Sequence, residues 1–376
     1  MTKWLEDALM AMPSQGRLGL KVAMDLVIGF TDDRKTEKGN QDRLAVAYCL
    51  DQSQSGGRWF FAGVCDGVGG ETRGDAAASI ALAEIISELC VGEESNPEKR
   101  LGRAILRAHS EVQERLRKRS ATTFAGILIS ERGGFAIGSV GDSRIYSVSD
   151  DEVLKLSQDD TLGEMLRRQL PQSPDHTVQE TIDALKAQWQ ESLGQAIGSE
   201  LPLQPRTSAW SSFANGVGCL LCTDGVWKPV DAVLTQVVRA NAGQLDLARR
   251  LLTLTDFLGG TDNATAIVLP EIVKVHQWLC ASHRSAEEGL VHIVLPGEAA
   301  VVPRSLFTCR GLQQAQQPPK VMEPVISKKP DNSRPKKIRK PRTKTSKSEK
   351  VVGVQLTILE GPKDDEAYPA SSLPKD

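Results

Sequence analysis

The amino-acid sequence predicts an α+β fold in which antiparallel strands form two sheets covered by helices. Three observations carry this. From about residue 20 to 270, short apolar segments recur with turn residues between them. Those around 122–150 follow one another too closely for helical crossovers, so they form hairpins rather than βαβ units. Finally, strands such as the one holding Trp59, Phe60, Phe61, Ala62, Val64 and Cys65 are apolar on both faces. A sheet packed on a second sheet and covered by helices gives that pattern.

Residues 1–17 read as a short amphipathic helix ended by Pro13. The expected strands are RLAVAYCL (43–50), RWFFAGVCD (58–66), TTFAGILIS (122–130), GFAIGSVGD (134–142), RIYSVSD (144–150), GVGCLLCTD (216–224) and ATAIVLP (264–270). Two long helices separate the second strand from the third. In the first, Leu82, Ile85, Ile86 and Leu89 fall at i, i+3, i+4 and i+7. In the second, Leu101, Ile105, Ala108, Val112 and Leu116 make the apolar face. Further helices are expected over about 177–190, 231–241 and 244–256.

The domain plan that follows is an N-terminal helical extension (1–17), a main domain (18–270), an extension (271–315) and a basic linker (316–350). A tail (351–376) closes it, with one strand-like stretch, VVGVQLTILEG (351–361). The Lys- and Arg-rich run at 327–350 is poor in apolar groups and expected to be disordered.

Composition sets bounds on function. The chain has 376 residues, 40% hydrophobic and 25% charged, with a net charge of −2. Whole-molecule charge therefore implies neither nucleic acid nor a membrane as partner. No apolar run approaches the ~20 residues a membrane helix needs. The N-terminus, MTKWLEDALMAMPSQGRLGL, has acids where a signal peptide has its apolar core. Cys65, Cys219 and Cys222 sit inside apolar runs, where a thiol acts as a small hydrophobe. A reducing, cytoplasmic setting is the expectation.

Five acids share one setting, the end of an apolar strand. Asp42 closes EKGNQD, Asp66 ends the second strand, and Asp142 sits in GSVGDSR. Asp224 ends LLCTD, and Asp262 precedes the last strand in GGTDNATAIV. Turn chemistry accounts for any one of them, since Asp-Gly is a strong turn pair. Five together say more. If the strands converge at one edge, so do the carboxylates, and they repel unless protonated or neutralised. Hard divalent ions such as Mg²⁺ and Mn²⁺ prefer such oxygen ligands. Glycine beside Asp66, Asp142 and Asp224 leaves room for backbone to approach an ion or anion. None of the five histidines lies in these motifs, which argues against a His-rich zinc site.

GNQD, VCDGVGG, ATTFAGILI, GSVGDSRIY, LSQDDTL, LGQAIGS, LCTDGVW and GGTDNATAIV, in this order, resemble the metal-dependent type 2C serine/threonine protein phosphatases, in a divergent prokaryotic form. The resemblance covers about residues 20–270. It implies a β-sandwich of two antiparallel sheets flanked by helices, with a binuclear Mn²⁺ or Mg²⁺ centre at one end. It also implies hydrolysis of phosphoserine or phosphothreonine in proteins by a water activated there, and a cognate kinase as counterpart. Asp66 resembles the carboxylate bridging the two ions, and Gly67 the residue giving a backbone carbonyl to one. Asp224 and Asp262 resemble ligands of the other. Asp42 matches the first-motif acid, and Asp142 a ligand of a third, weaker ion. Asp42, Asp66 and Asp224 are the catalytic candidates.

Two departures bear on substrate handling. Many relatives place a phosphate-binding arginine five residues before the first acid; here that residue is Glu37, with Arg34, Lys35 and Lys38 nearby. Some place a proton-donating histidine after the DG pair; here it is Val68. Asp160, too, stands where relatives often have histidine. His176 and Arg206 fall in the variable flap, about 161–210, as substrate contacts or solvated surface. Two other readings stay open: a phosphoprotein-binding pseudophosphatase, and a basic tail that binds nucleic acid. The tail lacks aromatics for base stacking, which favours a tether or docking arm. A monomer is expected.

Overall fold

The structure is a computed structural model. It describes residues 1–22, 27–34, 36–51, 57–68, 73–132, 134–149, 152–169, 192–210, 216–239, 244–269, 271–281 and 289–307. The chain divides into a compact unit, 1–316, and a separate segment, 317–376. The expected helix at 177–190, the basic run at 327–350 and the strand at 351–361 lie outside the described residues, as does His176.

Two antiparallel sheets form the unit. The first runs, in spatial order, β1 (Arg17–Val22), β2 (Val27–Asp32), β13 (Ala264–Leu269), β12 (Gly218–Cys222), β9 (Arg144–Val148) and β10 (Val153–Lys155). The second runs β11 (Arg206–Trp210), β8 (Gly134–Val140), β7 (Phe124–Ser130), β4 (Trp59–Cys65), β3 (Arg43–Cys49), β14 (Leu290–Leu295) and β15 (Glu298–Pro303). A two-residue pair, β5 (Gly67–Val68) with β6 (Ala121–Thr122), lies off the end of β4.

Burial on both strand faces has two sources. In β12, Cys219 and Leu221 enter the core shared with the second sheet. Leu220 and Cys222 point the other way, under α5 (Asp224–Val230), α6 (Leu234–Arg239) and α7 (Gln244–Phe257). Cys219 and Cys222 therefore sit on opposite faces, and burial pushes both thiols up, so they act as packing groups. The second sheet is covered by α2 (Gly74–Val91) and α3 (Pro97–Leu116). Asn96 caps α3, its side chain accepting from the Lys99 N–H at 3.0 Å, and Pro97 opens the first turn.

Two elements differ from the sequence expectation, which does not place the β1–β2 hairpin or the 271–307 stretch. Helix α2 has no single apolar face: from Gly74 to Cys90 only Asp75 is not buried, because α1 (Thr2–Met10), α3 and the second sheet enclose it. Its alanines permit that close approach. Asp224 is the first residue of a helix, not the last of a strand. The 271–307 stretch supplies α8 (Ile272–Ala281) and the β14–β15 hairpin, which extends the second sheet beyond β3. A short helix, α4 (Leu162–Gln169), opens the flap region. Among the described residues, no helix is long and apolar enough to cross a membrane.

Candidate metal centre

Strand register brings the acids together. In the second sheet Arg43 faces Cys65. Asp42 precedes the first and Asp66 follows the second, so the two leave the sheet side by side. In the first sheet Cys222 faces Arg144 on one side and Ala266 on the other. Asp224 lies just beyond Cys222, and Asp142 just before Arg144, so antiparallel pairing sends both off the same end. Asp262 leads into β13 at that end as well. Asp66, Asp142, Asp224 and Asp262 line one cavity of about 860 Å³, along with Gly67, Lys38 and Lys228. Asp42 lies behind them, fully buried.

Glycine closes the gaps between these loops. A Cβ on Gly67 would fall on the backbone of Gly74 and within 2.8 Å of the Gln41 carbonyl. The loop after β4 therefore touches both the start of α2 and the loop before β3. A Cβ on Gly225 would fall on the carbonyl oxygen of Asn263, so the start of α5 packs backbone to backbone against the Asp262 loop.

Side chains outside the expected set fasten the loops. The Thr223 hydroxyl donates to Asp42 Oδ2 at 2.8 Å, tying the two sheets at the acids. Asn263 accepts from the Gln41 N–H at 2.8 Å and donates to the Asp33 carbonyl at 2.9 Å. Thr123 accepts from the Asp66 N–H at 3.1 Å and shares a 2.6 Å hydrogen bond with Ser143. Trp227 Nε1 donates to the Asp142 carbonyl at 2.9 Å. Thr223 and Asn263 stand beside Asp224 and Asp262 in the quoted motifs. Nothing in their spacing showed which loop each would hold.

The cluster is electrostatically unfavourable by itself. Burial pushes Asp42 up to about 7; the Thr265 and Thr223 hydroxyls oppose this, and the charges of Asp224 and Asp262 add to it. Asp66 is held well above the usual carboxylate range by burial and then by Asp42, Asp224, Asp262 and Asp142. Burial and the Asp224 charge push Asp142 up to about 6, with Lys228 opposing. Asp262 reaches solvent at the cavity rim, yet the protein around it and Asp224 raise it too, against Lys228 and Lys38. Among the described residues, nothing donates a hydrogen bond to buried Asp42 Oδ1 or Asp224 Oδ1.

An all-oxygen set with unpaired carboxylate oxygens and mutual repulsion fits hard divalent cations. The acids ring the cavity: among the described residues, no three acidic, His or Cys side chains converge as a finished shell for one ion.

Carboxyl groups raised on folding stabilise the folded chain below their ordinary value of 3.8, and that stability is lost as pH rises through the folded values. For Asp42 and Asp142 these are about 7 and about 6. The metal-free chain is therefore expected to melt at progressively lower temperature between pH 4 and pH 7 on this account. Saturating Mn²⁺ at pH 7.5 should restore roughly 5–10 °C, and much less at pH 5. Differential scanning calorimetry across pH, with and without Mn²⁺, measures both.

The remaining candidates find definite places. Arg34 is not available to substrate: its guanidinium is buried against Thr255, the Leu252 carbonyl and Asp256. Arg144 is structural, gripping Asp159 at 2.8 Å and Asp231 at 3.0 Å while stacked 3.3 Å over Trp227. Arg206 pairs at 2.6 Å with Asp160, which is fully buried and also accepts from the Gly141 N–H at 3.3 Å. Asp160 thus braces the loop before Asp142. Burial pushes the Cys65 thiol up, which leaves it no nucleophilic thiolate. Val68 lines the cavity and offers no proton. His109 is buried and accepts from the Gly198 N–H at 3.1 Å.

A family model described as protein phosphatase 2C matches residues 31–258, more than half of the chain, so the chain belongs to that family. Its class is that of the protein serine/threonine phosphatases. Solved structures share the fold at low identity. The PPM Ser-Thr phosphatase MsPP from Mycobacterium smegmatis, in complex with cacodylate, is 22% identical over 67% of this chain and 100% of its own, with a TM-score of 0.52. Serine/threonine phosphatase Stp1 from Staphylococcus aureus is 20% identical over 67% and 96%, with a TM-score of 0.54. The S. agalactiae serine/threonine phosphatase is 22% identical over 64% and 97%, with a TM-score of 0.52. No curated protein matches the sequence.

Proposed function

We propose that this chain hydrolyses phosphoserine and phosphothreonine in proteins, using two Mn²⁺ or Mg²⁺ ions held in the acidic cavity. The observation that carries the reading is the convergence of Asp66, Asp142, Asp224 and Asp262 on one cavity, with Asp42 behind them and two buried carboxylate oxygens unpaired. Asp66, the Gly67 carbonyl, Asp224 and Asp262 would hold the ions, and Asp42 would support them from behind. When bound, such ions supply an activated water and offset charge on the phosphoryl oxygens.

The protein's own part is positioning. Thr223 fixes Asp42, Thr123 fixes the backbone at Asp66, and Asn263 locks the Asp262 loop to the Asp42 loop. These contacts hold the carboxylates in place against their repulsion. With Val68 in the cavity wall, the leaving serine must take its proton from a cavity carboxyl or from solvent. A phosphoprotein is the partner this reading requires, and a serine/threonine kinase its counterpart. A reducing, cytoplasmic setting is part of this reading, and no disulfide joins any two of the six described cysteines.

With Arg34 engaged elsewhere, Lys38 is assigned the substrate phosphate. It is exposed on the loop before β3 and lines the cavity. Lys38→Ala should raise KM roughly tenfold, about 1.4 kcal/mol of binding, and change kcat little. Steady-state kinetics on a phosphopeptide measures this split. The function itself is tested by Mn²⁺-dependent phosphate release from phosphoserine, phosphothreonine and phosphotyrosine peptides. Release from the first two, abolished in Asp224→Ala, is expected. Phosphopeptide binding with no release at saturating Mn²⁺ would identify a pseudophosphatase instead.

A further inference from the structure

We propose that Lys228 is a built-in cation of the acidic cavity, standing at the Asp142–Asp224 side where a third divalent ion would otherwise be drawn. This inference rests on the two-ion reading above and assigns Asp142 to the lysine rather than to an ion. Lys228 lies one helical turn after Asp224 on α5, and its Nζ is 2.9 Å from Asp224 Oδ2. It lines the same cavity as Asp66, Asp142 and Asp262.

Its direction is fixed by its neighbour. Trp227 donates to the Asp142 carbonyl and is covered by the Arg144 guanidinium, so the first turn of α5 is pinned to the Asp142 loop. Asp224 then divides its two oxygens. Lys228 takes Oδ2, and Oδ1 is left without a hydrogen bond for a divalent ion.

Charge balance points the same way. Once cations are bound and all are ionised, the five carboxylates of Asp42, Asp66, Asp142, Asp224 and Asp262 carry five negative charges. Two divalent ions and the Lys228 ammonium return five, with exposed Lys38 left to the substrate phosphate. A third divalent ion beside Lys228 would leave the site with excess positive charge and would have to displace the ammonium from Asp224. An ammonium is a compact, strongly hydrated point charge on a flexible stem, suited to this place without the geometric demands of a metal.

The test is a calorimetric titration of Mn²⁺ into the full chain and three variants, each shown to be folded by its melting transition. The wild type and Lys228→Arg should take two ions per chain. Lys228→Glu, which replaces the cation with a ligand, should take a third. Lys228→Met, which removes the charge and keeps the stem, should take a third more weakly. Three ions in the wild type, or two in every variant, would overturn the inference and leave the metal reading intact. No binding by the wild type would overturn both. Because Lys228 is over a third exposed, Lys228→Met and Lys228→Arg guard against a folding defect in the glutamate variant.

Discussion

Asp66→Asn is expected to lose at least about a thousandfold of kcat while melting higher than the wild type when both are metal-free. The two effects share one cause. Asp66 is pressed by burial and by four neighbouring acids. In the unfolded chain its carboxyl ionises freely at neutral pH, and folding must reverse or tolerate that ionisation. Asparagine keeps the shape and removes the conflict, for a gain of about 1 kcal/mol or more, roughly 2–4 °C. With Mn²⁺ added the order should reverse, because the wild type gains ligand stabilisation and the variant does not. Paired melting curves and phosphopeptide kinetics measure this. If the variant melted below the metal-free wild type, the repulsive-cluster account would be wrong.

Gly225→Ala should be the most damaging single methyl in the site. Its Cβ would land on the Asn263 carbonyl oxygen, a backbone atom that no side-chain rotation can move away. The start of α5 and the Asp262 loop would have to part, separating Asp224 from Asp262. Overpacking of this kind costs about 3 kcal/mol. Loss of ligand support weakens metal binding by roughly 10- to 100-fold. Gly19→Ala is the control, since its Cβ would meet only the Gly29 carbonyl at an ordinary 3.7 Å. Urea denaturation and Mn²⁺ titration of both variants test the contrast. Equal stability and equal affinity would contradict the close approach at Gly225.

The acids were legible because each sits at one end of an apolar strand beside turn residues, and a shared sheet end makes such groups meet. The register that brings them together could not be read, because it depends on pairings across Cys222, Arg144 and Ala266. Glycine was read as room for an ion. At Gly225 the missing side chain also leaves room for the Asn263 backbone, and at Gly67 for Gly74. Thr223, Asn263 and Lys228 went unassigned because each acts on a residue from another loop or on its own helix, and sequence spacing does not carry that. The β1–β2 hairpin was missed because no glycine or proline stands between Val22 and Val27 to mark a break in the sequence. Helix α2 looked one-sided by period, yet α1 covers the face that periodicity alone would have left to solvent.

On the proposed reading, Asp66, Asp224 and Asp262 jointly hold two divalent ions. Anomalous diffraction from crystals soaked in manganese tests it most directly. Two peaks inside the cavity, within coordination distance of these three carboxylates, are predicted. An empty cavity at saturating manganese, or ions bound only elsewhere on the surface, would contradict it.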